Sequence, residues 1–104
     1  METIVHTIRL HPGTDPEDFE RWVREVDYAT CPELPSVRGF HVFRISTRDD
    51  EPAHYAEIIE VTDHKAFARD METPAFARLV AAFEQMAAVL DTLAGERVGD
   101  GYRA

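Results

Sequence analysis

The sequence predicts an α+β fold: a four-stranded antiparallel sheet with helices on one face. Three observations carry this. Stretches of alternating or β-branched character stand near both ends of the chain and twice in its middle. Two longer stretches between them keep helical spacing. A short polar turn, Arg48-Asp49-Asp50-Glu51-Pro52, joins the two middle strands, which favours antiparallel pairing.

The first strand is Thr3 to Leu10, TIVHTIRL. Ile4, His6, Ile8 and Leu10 fall on one face; Val5, Thr7 and Arg9 fall on the other. Pro12-Gly13 ends it. Asp15 then serves as a helix N-cap, with Pro16 at the first helical position and Asp18 favouring the positive end of the helix. Phe19, Trp22, Val23 and Val26 follow at helical spacing, with charged residues opposite them. This helix runs into Tyr28 and Cys31, and then into a loop stiffened by Pro32 and Pro35. Val37 to Ser46 reads as the second strand and Ala53 to Val61 as the third. Thr62 and Asp63 cap a second helical region, which breaks near Thr73-Pro74 because proline disfavours helix in the residue before it. Phe76, Leu79, Val80, Phe83, Met86, Ala87 and Leu90 then keep helical spacing. Thr92 to Val98 is a weaker fourth strand, and Gly99 to Ala104 is a tail.

The resulting order, β-α-β-β-α-β, is the ferredoxin-like arrangement. Its helices cover one face of the sheet. The strands carry apolar residues on both faces: Ile4, Ile8 and Leu10 oppose Val5; Phe43 and Ile45 oppose Phe40 and Val42; and Ile59 opposes Ile58. A sheet apolar on both sides needs a second cover. The simplest is the same sheet from another copy, packed in a twofold homodimer. The expectation is that the two bare sheet faces enclose an apolar chamber and that His6 projects into it.

At 104 residues the chain is one domain, residues 1–104. It carries 11 basic and 20 acidic side chains, a net charge of −9. That charge repels phosphate backbones, so nucleic acid is not an expected partner. There is no basic cluster to attract anionic lipid and no apolar run of membrane-spanning length, so no membrane association and a cytoplasmic location are expected. A single cysteine, Cys31, excludes an internal disulfide and a cysteine-based zinc cluster. No HxH, HExxH or His-carboxylate spacing suggests a metal, and no phosphate-binding or nucleophile-elbow motif is present.

Several residues are candidates for chemistry. His6, central in the first strand, is a candidate general acid or base. His41 lies mid-strand, with Gly39 two positions earlier opening space on its face. Tyr55 and Glu57 share a face of the third strand: a carboxylate orients an imidazole, and a phenol polarises a carbonyl. Trp22, Tyr28 and Phe40 offer an apolar lip or wall, though Trp22 and Tyr28 are equally at home in a core. Cys31 reads as a packing residue, since the C-terminal end of a helix disfavours a thiolate. Arg38 and Arg44 read as solvated surface.

TIVHTIRLHPG, DFERWVREVDYATCPELPSV and GFHVFRIS together resemble the RedY-like family of prodiginine-type natural-product pathways. The resemblance spans nearly the whole chain. It implies the architecture of dimeric α/β-barrel proteins, polyketide cyclases and small quinol-forming monooxygenases. It also implies chemistry without metal or organic cofactor, and a pocket for a flat, apolar, oxygenated molecule. In the barrel cyclases a histidine of the first strand serves the pocket, and His6 matches it. A second falls near Pro74-Ala75-Phe76, where this chain has Phe76, so that mechanism does not carry over intact. The expected function is cofactor-independent cyclisation or condensation of a small aromatic or pyrrolic intermediate. In that reading His6, His41 and Tyr55 are catalytic, while Trp22, Tyr28, Phe40, Glu57 and Phe76 bind substrate. A cofactor-free monooxygenase and a non-catalytic carrier of a reactive intermediate are the alternatives.

Overall fold

Nine residues, Glu2–Leu10, form strand β1 of a computed structural model that describes Met1–Ala104. Helix α1 spans Pro16–Trp22, and a π-helical segment, Val23–Asp27, continues it. The single turns Tyr28–Thr30 and Cys31–Glu33 close it. Strands β2 (Val37–Arg44) and β3 (Tyr55–Val61) follow. Helices α2 (His64–Asp70) and α3 (Pro74–Met86) then lead to β4 (Ala87–Glu96). The sheet is antiparallel in the order β2-β3-β1-β4, the ferredoxin-like α+β architecture.

The helix starts are those the sequence marks. Asp15 caps α1 by accepting the Glu17 N–H, Asp63 caps α2 through Ala66, and Thr73 caps α3 through Phe76. Proline opens α1 and α3. The proline-bounded loop is pinned where it enters β2: the buried Asp70 carboxylate accepts both the backbone N–H and the hydroxyl of buried Ser36.

Two expectations fail along the third helix and fourth strand. The helical spacing through Ala87 and Leu90 does not become helix. Helix α3 stops at Met86, Ala87 is already extended, and β4 begins there, five residues before Thr92. Nothing local forces this, since no Gly or Pro intervenes. Pairing with β1 decides it: Ala87 sits opposite Leu10, and the Met86 carbonyl is capped at 2.9 Å by both the His11 N–H and the Thr14 hydroxyl. Tertiary pairing overrides a weak local preference.

The third correction concerns His6. It shares the helix-facing side with Ile4, Ile8 and Leu10, all buried beneath the helices. The imidazole therefore points into the helical layer, not into a chamber between two sheet faces. On the open face stand Val5, His41, Phe43, Ile58 and Leu93, with Phe43 and Leu93 half or more exposed.

A candidate active site between the sheet and its helices

The core is divided into two clusters. Ile8, Leu10, Phe19, Val23, Tyr55 and Ala87 pack at one end, under α1. Ile4, Ile59, Val61 and Phe67 pack at the other, under α2. Between Ile4 and Ile8 comes His6, and register places it opposite Glu57 on β3 and Thr92 on β4. A polar row thus crosses the sheet where apolar side chains would otherwise join the clusters. Over that row lies a cavity of about 660 Å³, the size of a small-ligand site. Its floor includes Ile4, His6, Glu57, Ile59, Thr92 and Ala94; its walls include Trp22, Asp27, Phe40, Phe67, Phe76, Leu79 and Phe83.

His6 Nδ1 and Glu57 Oε1 lie 2.5 Å apart, both side chains mostly shielded from solvent. The carboxylate fixes the ring and leaves Nε2 free of any protein partner. An oriented imidazole with one free nitrogen is the arrangement needed to accept and return a proton. Sequence alone supplied both residues but not their pairing, which depends on strand register.

Asp27 is the residue that sequence reasoning missed. It is 6 % exposed and lines the cavity. The cause is the π-helical segment, where the Tyr28 N–H reaches back five residues to the Val23 carbonyl. The wider turn sets back every later residue. Asp27 takes the inward position, while Val26, assigned to the buried face by uninterrupted α spacing, is 43 % exposed. The Cys31 thiol donates to the Asp27 backbone carbonyl at 3.5 Å, while no side-chain or backbone donor of the protein bonds the carboxyl, which opens onto the cavity. Burial, reinforced by the neighbouring Glu57 charge, pushes it up from 3.8 to about 7. A hydrophilic residue at helical spacing from Phe19 and Val23 was the available signal, but it reads equally as a solvated edge.

The other candidates divide. Trp22, Phe40 and Phe76 line the cavity with His6 and Glu57, and Phe76 meets Phe67 edge to face at 5.9 Å. Tyr55 does not reach it. Its ring is buried 4.8 Å from Phe19, and its hydroxyl donates at 2.7 Å to Glu20, which Arg44 grips through two nitrogens. Arg44 is thereby a structural tie between α1 and β2, not a merely solvated cation. Tyr28 lies outside as well. Its hydroxyl accepts the Val42 N–H at 3.0 Å, covering a free donor of edge strand β2, and it borders a separate cleft with Cys31, Pro32 and Phe40. His41 stands exposed on the open sheet face beside Phe43, so Gly39 opens no space toward the cavity; a side chain there would meet Glu60. The Cys31 thiol is pushed up to about 11 by burial and by Asp27, the opposite of nucleophile activation. No three His, Cys, Asp or Glu side chains converge in a metal-binding group, and no helix is long and apolar enough to cross a membrane.

Comparison with known proteins places this geometry. The model of the REDY-like protein HapK family matches residues 2–98. The crystal structure of HapK from Hahella chejuensis superposes with a TM-score of 0.96 at 55% identity, covering 100% of this chain and 99% of that one. SnoaB, a cofactor-independent oxygenase from Streptomyces nogalater, shares the fold at a TM-score of 0.73 and 20% identity, covering 96% and 97%. A dimeric ferredoxin-like protein of unknown function from Thermobifida fusca does so at 0.67 and 13%, covering 89% and 85%. No match is found among curated proteins. On the family match and the full-length likeness to HapK, the chain belongs to the HapK, or REDY-like, family.

Proposed function

We propose that the cavity binds a small aromatic or pyrrolic intermediate of secondary-metabolite biosynthesis and promotes its cyclisation or condensation without a metal or organic cofactor. His6 is the proton carrier, Glu57 holds it, and Trp22, Phe40 and Phe76 enclose the ring system. The observation that carries this is the His6–Glu57 pair set in a mostly apolar cavity of about 660 Å³. Apolar side chains in that row would join the two halves of the core, and replacing a largely shielded polar pair by well-packed apolar groups is often neutral or stabilising. A polar pair facing an apolar chamber is therefore better explained by chemistry than by folding. Enclosure adds to the rate by holding a flexible molecule in a reactive shape.

The test is turnover of the intermediates made by the products of neighbouring genes. His6→Gln is expected to keep the fold and lower kcat by about tenfold or more, the usual share of one general acid-base group. Unchanged kcat removes His6 from the mechanism. The SnoaB likeness, which extends to fold only, supplies the rival reading of a cofactor-independent oxygenase. Oxygen uptake stoichiometric with product would favour that rival, and saturable binding without rate enhancement would favour a carrier.

The cytoplasmic homodimer belongs to the same reading, with the open sheet face as its interface. Val5, Phe43, Ile58 and Leu93 supply its apolar centre, and Leu93 is 67 % exposed in the single chain. Placing a charge there, as Leu93→Asp, buries two unpaired carboxylates across a twofold axis. Sedimentation velocity is expected to show a dimer for the wild type and a monomer for the variant; a wild-type monomer at high concentration refutes the interface.

A further inference from the structure

The cavity has a charge character that the proposed chemistry does not use. No lysine or arginine lines it. Each lining histidine already has an acceptor: His6 has Glu57, His64 has Glu2 at 2.6 Å, and His11 has the Glu84 carbonyl at 2.9 Å. Asp27 has nothing. The residue is more than nine-tenths buried, and its carboxyl opens onto the cavity with no hydrogen bond from a protein donor. A carboxyl so largely withdrawn from solvent, with its open side on an apolar cavity, gains from a donor arriving with a ligand. The π-helical turn that aims it inward is a kind of irregularity often found at functional sites.

We infer that Asp27 anchors the ligand and sets its charge class: the cavity takes a flat apolar ring bearing an ammonium or other hydrogen-bond donor and rejects the same ring bearing a carboxylate, sulfate or phosphate. This rests on the reading of the cavity as the ligand site and adds what that reading leaves open. An anion entering here meets Asp27 and Glu57 with no fixed cation to receive it. A donor meets a carboxyl with no competing partner. Because Glu57 is already shared with His6, the selectivity falls to Asp27.

Three probes of one shape test it: 1-naphthylmethylamine, 1-naphthylmethanol and 1-naphthylacetate, titrated calorimetrically into the intact protein at pH 7.5 and physiological salt. The amine is expected to bind tightest and the acid weakest, by about tenfold or more between them. Asp27→Asn, which keeps the size and polarity of the side chain, is expected to shrink that gap to about threefold or less. The protein's overall charge of −9 cannot mimic the result, since the variant changes it by one charge. Equal affinity for amine and acid, a gap that survives Asp27→Asn, or no binding of any probe overturns the inference. A second readout needs no variant: crystals soaked with the amine should place its nitrogen within hydrogen-bond distance of the Asp27 carboxyl, and a nitrogen directed to Glu84 or Glu2 instead counts against it. These are binding experiments without turnover. A catalytically irrelevant His6 would leave them intact, and a missing charge preference would leave the His6 result intact.

Discussion

Asp27→Asn is expected to stabilise the protein strongly at pH 8 and hardly at all at pH 4. In the fold this carboxyl is pushed up to about 7, against 3.8 ordinarily. Between those values the unfolded chain has released the proton while the folded chain keeps it. The fold binds more protons, so raising the pH through this window favours unfolding. The contribution is fully present below pH 4 and is lost as pH rises through 7. At roughly 1.4 kcal/mol per pH unit, the gap amounts to about 4 kcal/mol at most. Asparagine resembles the protonated acid and removes the penalty. Urea unfolding of both proteins at pH 8, 6 and 4 measures it: the variant's advantage should be largest at pH 8 and vanish near pH 4. A constant difference, or a less stable variant at pH 8, would show that the carboxyl is not buried beside Glu57 as described. Besides burial, the group acting on Asp27 is Glu57 on the sheet, and Asp27 in turn raises the Cys31 thiol one turn along its own helix.

Taking the difference between two proteins matters, because other groups titrate in the opposite sense. Glu20 is lowered from 4.5 to about 2, chiefly by its hydrogen bonds from Arg44 and then from Tyr55. Its contribution is present above pH 4.5 and is lost as pH falls toward 2. It is common to wild type and variant and cancels.

The fold was legible because its signals are local and repeated. Alternation in TIVHTIRL, the caps at Asp15 and Asp63, Pro16 at a helix start and the break at Thr73-Pro74 each mark an element without help from the rest of the chain. What was not legible depends on register or helix phase. His6 and Glu57 were both readable as candidates, but their contact needs the β1–β3 pairing that places them opposite one another. The side of the sheet that holds the cavity follows from where the helices pack, and the assignment of His6 to a bare face failed there. The end of α3 at Met86 follows from the demand of β1 for a partner, which no residue between Ala87 and Leu90 announces. Asp27 and Val26 exchange places through one extra residue in a helical turn, and a period of 3.6 cannot show that. Tyr55 was misread for a different reason. The next residue on its face of the strand is the polar Glu57, while its neighbours in space are Phe19 and Ile8.

That last misreading yields the second large effect, through Phe19. Its ring is 1 % exposed and touches Trp22, Tyr55 and Phe83, two of which line the cavity. Phe19→Ala removes the side chain on which both rest. The expected cost is about 3–5 kcal/mol, the sum of lost burial and a residual void. For a domain of this size that lowers Tm by about 12 °C or more. The loss should reach the site as well, since Trp22 and Phe83 can relax into the vacated space and enlarge the cavity away from His6. Tyr55→Phe separates packing from chemistry at the same spot. It keeps the ring against Phe19 and deletes only the donor to Glu20, which retains Arg44, so the cost should be about 1 kcal/mol. A hydroxyl that never enters the cavity cannot polarise a substrate there, and kcat should stay within about twofold of wild type, as for a change remote from the chemistry. If Tyr55→Phe instead lowers kcat about tenfold with little loss of Tm, the phenol touches the reacting molecule and the division between core and cavity drawn here is misplaced.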